Sequence, residues 1–336
     1  MTSKNAKLFF ENYLGEPSSE FITLAQSGSA RINFLASSST GKYIVTSNEN
    51  IPENESFLYY SKIFSGLKLN TPTIFAVSDN RKMYIQEFLG GQTLSEIITK
   101  EGLSTHVKSL VKQTLEKLFQ LQIQTQGKID FSKTFEYEKY DELPIIHDLY
   151  YFKNFVADVL ELEYQKSSLL KEFKQIANLI ENIEPKGIMI RDFQARNIMV
   201  NEESKVSFID YQSAMEGPLM YDVISLLFQA KADFPEDFKN EMLNYYIEQF
   251  DNKTIKNQLK NSVKPIQMMR FLQVLGAYGF RGLIQRKQHF LASFEKGIQN
   301  ITQFAASWEQ MKEYPELKKV IEQLSAEDLK LKINTI

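Results

Sequence analysis

The chain has no cysteine among its 336 residues. That removes disulfides, thiolate metal sites and a cysteine nucleophile together, and it fits a reducing compartment. There is no basic surplus either. Lys+Arg number 39 against Asp+Glu 42, a net charge of −3, so nothing points to nucleic acid. A local basic pocket is still allowed, because net charge governs steering and solubility and not a single site. No apolar stretch approaches the roughly 18–20 residues that a membrane span needs. The opening MTSKNAKLFFENYLGEP has no charged-then-apolar run ending in small residues, so no signal peptide is read and the cytoplasm is the expected compartment. The three histidines, His106, His147 and His289, show no zinc spacing. No G-x-S-x-G elbow is present. SSSTGKY resembles a phosphate loop only superficially: that motif demands Gly at 36 and Ser/Thr at 43, where Ala36 and Tyr43 stand. It reads as a hairpin turn.

What is present is an ordinary globular composition, 43% apolar and 24% charged, long enough for one large domain or two lobes. Residues 7–14 suit a short amphipathic helix ended by Gly15 and Pro17. Arg31–Ala36, Lys42–Thr46, Thr73–Val77 and Met83–Phe88 read as strands, and ENESFLYYSKIFSGL as a helix between the second and third. After a candidate hinge at Gly90–Gly91 the texture turns helical. Val107, Leu110, Val111, Thr114, Leu115, Leu118 and Leu121 recur at i, i+3/i+4, and a second such set runs from Leu149 to Leu160. The expected fold is α+β and bilobal: a small β-rich lobe over 1–89 and a large, mainly helical lobe over 90–336.

One polar island interrupts the helices, from about 187 to 212, with GIMI, NIMV and VSFI as short β-like runs. It holds Asp192, Asn197 five residues later, and Asp210 at the end of VSFI. An Asp, an Asn and a second Asp after a hairpin is the arrangement that protein-kinase-like catalysts use. The first Asp takes the acceptor's hydroxyl proton, and the Asn and second Asp suit Mg²⁺, which prefers hard oxygen ligands. The bland alternative is a polar loop whose Asp and Asn cap turns. The flanking apolar strands favour the catalytic reading.

MIRDFQARNIMV…FIDYQSAMEGPLMYDVISLLFQAKADFP resembles the aminoglycoside-phosphotransferase-like family, closest to its branch of anomeric N-acetylmuramate and N-acetylglucosamine kinases. QVLGAYGFRGLIQRKQHFLASF extends the resemblance, and QSGSARINF, ENESFLYYSKIF and YIQEFLGGQTL do so more weakly; 127–185 is not covered. The resemblance implies ATP as co-substrate, Mg²⁺ as cofactor and a small-molecule acceptor, a sugar first of all. Aminoglycoside, choline or another small alcohol is the second reading, and an inactive nucleotide-binding relative the third. It makes Asp192 the catalytic base, Asn197 and Asp210 the metal ligands, and Asp222 the brace of the catalytic loop. Ser27, Gly28, Ser29, Arg31, Glu87 and Leu89 would line the nucleotide, and Gln194, Arg196 and Gln212 the substrate. Ile190 replaces the usual loop histidine. The strand lysine that grips the phosphates is missing, since Tyr43-Ile44-Val45-Thr46-Ser47 holds no basic residue. Glu55, at the helix position that pairs with it, is expected to lack that partner, and Arg31 or Lys42 is left to supply the charge. Arg270, Arg281, Arg286 and Lys287 are read as a solvated helix face or as partners for an acidic acceptor.

Overall fold

A computed structural model describes residues 2–25 and 30–326, so Ser27, Gly28 and Ser29 lie outside the described residues. The first helix, α1 (Thr2–Leu14), is followed by β1 (Glu20–Thr23), β2 (Ile32–Ser38), β3 (Gly41–Ser47), α2 (Ile51–Gly66), β4 (Ile74–Val77) and β5 (Met83–Glu87). The strands form one antiparallel sheet in the order β1-β2-β3-β5-β4. Phe34 and Ala36 of β2 point to one face, as a period of two requires. There they are buried with Val45, Ile85 and α1's Ala6 and Phe10. The pairing Ser38↔Gly41 closes the SSSTG turn as a hairpin. β1 escaped the sequence reading because only Phe21 of its four residues is even half-buried. This edge strand is held by the Phe21–Phe34 ring stack at 5.0 Å, and it carries too little alternation to register.

Next come β6 (Gln92–Thr93), α3 (Leu94–Glu101) and α4 (Thr105–Gln124). Thr93 and Glu96 make a capping box on α3, and Ser104 caps α4. The buried stripe of α4 contains all seven residues of the periodic set. The rest of the chain runs α5 (Glu142–Phe152), α6 (Lys166–Glu181), β7 (Lys186–Met189), β8 (Ile198–Val200), β9 (Val206–Phe208), β10 (Met215–Pro218), α7 (Met220–Leu227), α8 (Glu236–Glu248), α9 (Lys253–Tyr278), α10 (Gln288–Ser307) and α11 (Pro315–Gln323). The class is α+β: a small antiparallel sheet and a largely helical remainder.

The chain divides into two compact units, Met1–Glu138 with Ile190–Met215, and Lys139–Met189 with Glu216–Ile336. This division does not follow the change of texture at residue 89. The physical reason is the small sheet β6-β8-β9, which ties the segment after Gly90 to the polar island. Gly90 makes that approach possible. Its φ is +136°, and a Cβ there would stand 2.5 Å from the Val200 carbonyl oxygen. No helix among the described residues is long and apolar enough to cross a membrane.

Candidate active site

The island folds as a tight loop followed by the β8–β9 hairpin. Successive backbone bonds, Asp192 N to Ile190 O, Gln194 N to Asp192 O and Asn197 N to Gln194 O at 2.9, 2.9 and 2.8 Å, wind it into a turn ending at Asn197. Phe193 and Phe208 pack edge to face beneath it at 4.9 Å. Three of its residues sit in the left-handed region, Arg191 at φ +70°, Ser204 at φ +57° in the β8–β9 turn and Asp210 at φ +67°. Non-glycine residues there cost of order 1–3 kcal/mol and persist where surrounding contacts hold them. Arg191 is held by Glu136 Oε2 at 3.2 Å and lies over the Tyr137 ring.

Asn197 joins the two acids. Its Nδ2 donates to the Asp192 carbonyl at 2.9 Å and to Asp210 Oδ2 at 3.1 Å. Both amide hydrogens are thereby spent, which leaves the amide oxygen as the acceptor end. A hard-oxygen pair of one amide and one carboxylate is the donor set that suits Mg²⁺, so the residues present fit the ion. No group of three or more His, Cys, Asp or Glu that could hold a metal occurs among the described residues, so such an ion would depend on this pair and on its substrate's oxygens. The half-buried Asp192 carboxylate has no hydrogen bond or ion pair among the described residues.

The segment after Asp210 is bolted to α2. Ser56 Oγ donates to Gln212 O at 2.6 Å and Tyr60 OH to Ala214 O at 2.7 Å. Ser61 Oγ and Tyr211 OH share a bond of 2.7 Å. Phe57 stacks on Tyr211 and on Tyr84, with centroids 4.7 and 5.1 Å apart. Burial pushes the phenols of Tyr60 and Tyr211 upward, so both stay neutral donors.

Arg31 reaches this cluster from the start of β2. It donates to Asp210 Oδ1 and, at 3.0 Å, to Gln212 Oε1. Gln212 Nε2 donates to Asp210 Oδ1 at 3.2 Å. Gln212 is therefore buried and committed to Asp210 and Arg31, while Gln194 is half-buried and Arg196 exposed. Glu87 ends β5, paired with Tyr43, and its carboxylate accepts from Thr73 N at 3.1 Å; Leu89 is half-buried. Asp222 is fully buried in the first turn of α7, in the other unit. There, after burial itself, it raises the pKa of Tyr246.

One expectation needs correcting, that for Arg270, and Glu55 finds a different partner from the missing strand lysine: a two-point contact to Arg81 at the exposed surface. The α2 carboxylate that faces the site is Glu53, 3.4 Å from Arg31. It is two positions away, and on a helix residues two apart do not share a face. Arg270 is not on a solvated face. It is buried, bonded to Ser225 Oγ at 3.0 Å and lying over the Tyr221 ring. Lys42 is exposed on the hairpin, with its amine 5.7 Å from the Phe88 ring centre.

Residues 22–256 match the model of the phosphotransferase enzyme family. An N-acetylmuramate/N-acetylglucosamine kinase of Neisseria meningitidis serogroup B is 25% identical over 198 residues, 57% of this chain and 55% of that protein. The chain thus aligns with about half the length of this curated relative. Among solved structures, a choline kinase from Streptococcus pneumoniae has a TM-score of 0.61 at 12% identity, covering 90% of this chain and 99% of that one. A thermostable aminoglycoside phosphotransferase mutant in ternary complex with ADP and hygromycin B has a TM-score of 0.58 at 15% identity, covering 90% and 99%. At such identities the likeness is one of fold. With the family model spanning most of its length, the chain belongs to the phosphotransferase enzyme family.

Proposed function

We propose that this protein is an ATP-dependent kinase that phosphorylates a hydroxyl of an N-acetylated amino sugar, the anomeric one first of all. The observation that carries the reading is Asn197, whose amide ties the Asp192 backbone to the Asp210 carboxylate and leaves an oxygen free for a cation. In this reading Asp192 is the catalytic base. The acceptor oxygen bonds to the γ-phosphorus, the bond from that phosphorus to the β–γ bridging oxygen breaks, ADP leaves, and the acceptor proton goes to the Asp192 carboxylate. Mg²⁺ held by Asn197 and Asp210 would neutralise charge on the phosphates. Arg31 adds a second cation where the strand lysine is missing. Glu87 and Leu89 line the nucleotide. Gln194 and Arg196 face the acceptor.

The sugar class is supported by the similarity to the Neisseria enzyme, and ATP by the nucleotide-bound fold relative. A cytoplasmic location goes with that co-substrate. The test is transfer from ATP to N-acetylmuramate, N-acetylglucosamine, other sugars, choline and aminoglycosides, with ³¹P NMR of the product to locate the phosphate. Turnover confined to choline or aminoglycosides would replace the sugar reading, and no transfer to any acceptor would leave a nucleotide-binding relative.

A further inference from the structure

Arg31 stands between two carboxylates that come from different elements. Its Nε lies 3.4 Å from Glu53 Oε1 on α2, and its Nη2 is bonded to Asp210. Side-chain exposures of 13% for Arg31 and 14% for Glu53 take this contact largely out of water, where it is screened less than a surface pair. Burial pulls the Arg31 pKa down, but Asp210, Tyr84 and Glu53 together raise it above the ordinary value, so the side chain remains charged. Glu53 is itself fixed. Asn48 Nδ2 donates to its Oε2 at 2.9 Å, and its backbone N–H is capped by Asn50 Oδ1 at 3.3 Å.

The two carboxylates and one guanidinium leave a single negative charge. A divalent cation arriving alone must either displace Arg31 from Asp210 or bind beside a guanidinium, and both are unfavourable in a half-buried setting. A cation arriving with a triphosphate brings the anion to which the released guanidinium can turn. Glu53 can hold one edge of the guanidinium while the other edge changes partner, which a planar five-donor fork permits and an ammonium does not.

Resting on the kinase reading above, we propose that Arg31 is a two-position cation. It neutralises Asp210 in the empty protein and moves to the nucleotide phosphates when the metal takes Asp210. Glu53 is the positioning residue that tethers it in both states. Metal and nucleotide therefore bind as a cooperative pair. The cation that the family resemblance places on a strand is here supplied by the residue that precedes β2, and its helix partner is Glu53.

Nucleotide-free titration with Mn²⁺, followed by electron paramagnetic resonance, tests this without turnover. Arg31→Met is expected to bind Mn²⁺ about ten-fold more tightly than the parent protein when no nucleotide is present, and about ten-fold more weakly in the presence of the ATP analogue AMP-PNP. Arg31→Lys keeps the charge and is expected to lie near the parent without nucleotide and near Arg31→Met with it. Glu53→Gln is expected to leave Arg31 on Asp210, so Mn²⁺ binding falls in both conditions. If Arg31→Met leaves nucleotide-free Mn²⁺ affinity unchanged while the parent binds Mn²⁺ with AMP-PNP, the two-position arginine is wrong and the kinase reading stands. If the parent does not bind that pair at all, both fall. Unchanged melting temperatures of the variants separate these outcomes from misfolding.

Discussion

Replacing Asp192 by asparagine keeps the shape of the side chain and removes its capacity to take a proton. The loop is wound by backbone bonds and by Asn197, which uses the Asp192 carbonyl and not its carboxylate. The variant is therefore expected to melt like the parent and to bind ATP, and to lose about 10²–10⁴-fold in kcat. Turnover and nucleotide affinity measured on one preparation check it, and unchanged turnover removes Asp192 from its role. Arg31 and Lys42 also separate at this scale. Arg31 is bonded to Asp210, whereas Lys42 is exposed beside Phe88. Arg31→Ala is expected to raise KM for ATP and lower kcat together, the mark of a group that holds the phosphates in ground and transition states alike. Lys42→Ala is expected to change neither appreciably, and steady-state kinetics of the two variants decide.

At the scale of elements, α2 carries the load, because its hydroxyls satisfy the carbonyls that follow Asp210. Tyr60→Phe strands the Ala214 carbonyl in a buried place, and such a group costs about 1–3 kcal/mol when left unpaired. The expected result is a lower denaturation midpoint with the slope unchanged, and a raised Mg²⁺ requirement, because the segment that aims Asp210 is loosened. Gly90→Ala acts between elements. The added Cβ would meet the Val200 carbonyl oxygen at 2.5 Å in a backbone conformation of φ +136° that alanine avoids. Destabilisation is expected to exceed the roughly 0.4–1 kcal/mol that such a swap gains at an unstrained site, and a chemical melt measures it.

For the whole molecule, acid sensitivity follows from several surface carboxylates. A backbone bond from Ser18 lowers Glu11, the Ser104 hydroxyl lowers Glu101, and lysine bonds lower Glu203 and Glu248, each from an ordinary value of 4.5. A folded pKa below the unfolded one means that the unfolded chain binds more protons. The stabilisation is thus present above about 4.5 and lost as pH falls through the lowered values. Buried Glu172 runs the other way, raised by burial against two backbone N–H donors. Calorimetric scans are expected to show the melting temperature dropping below about pH 4.5, and a rise there would mean that groups like Glu172 dominate. The sequence by itself determined four of the five sheet strands, the stripe of α4 and the spacing of Asp192, Asn197 and Asp210, because periodicity and loop chemistry are properties of neighbours along the chain. Only the tertiary structure decided which acid of α2 faces Arg31, that Gln212 is committed to Arg31, that Arg270 is buried, and that the segment after Gly90 packs with the polar island. Each of these depends on which surfaces meet across tens to hundreds of residues: Arg31 and Asp210 stand 179 positions apart, and no local pattern records that distance.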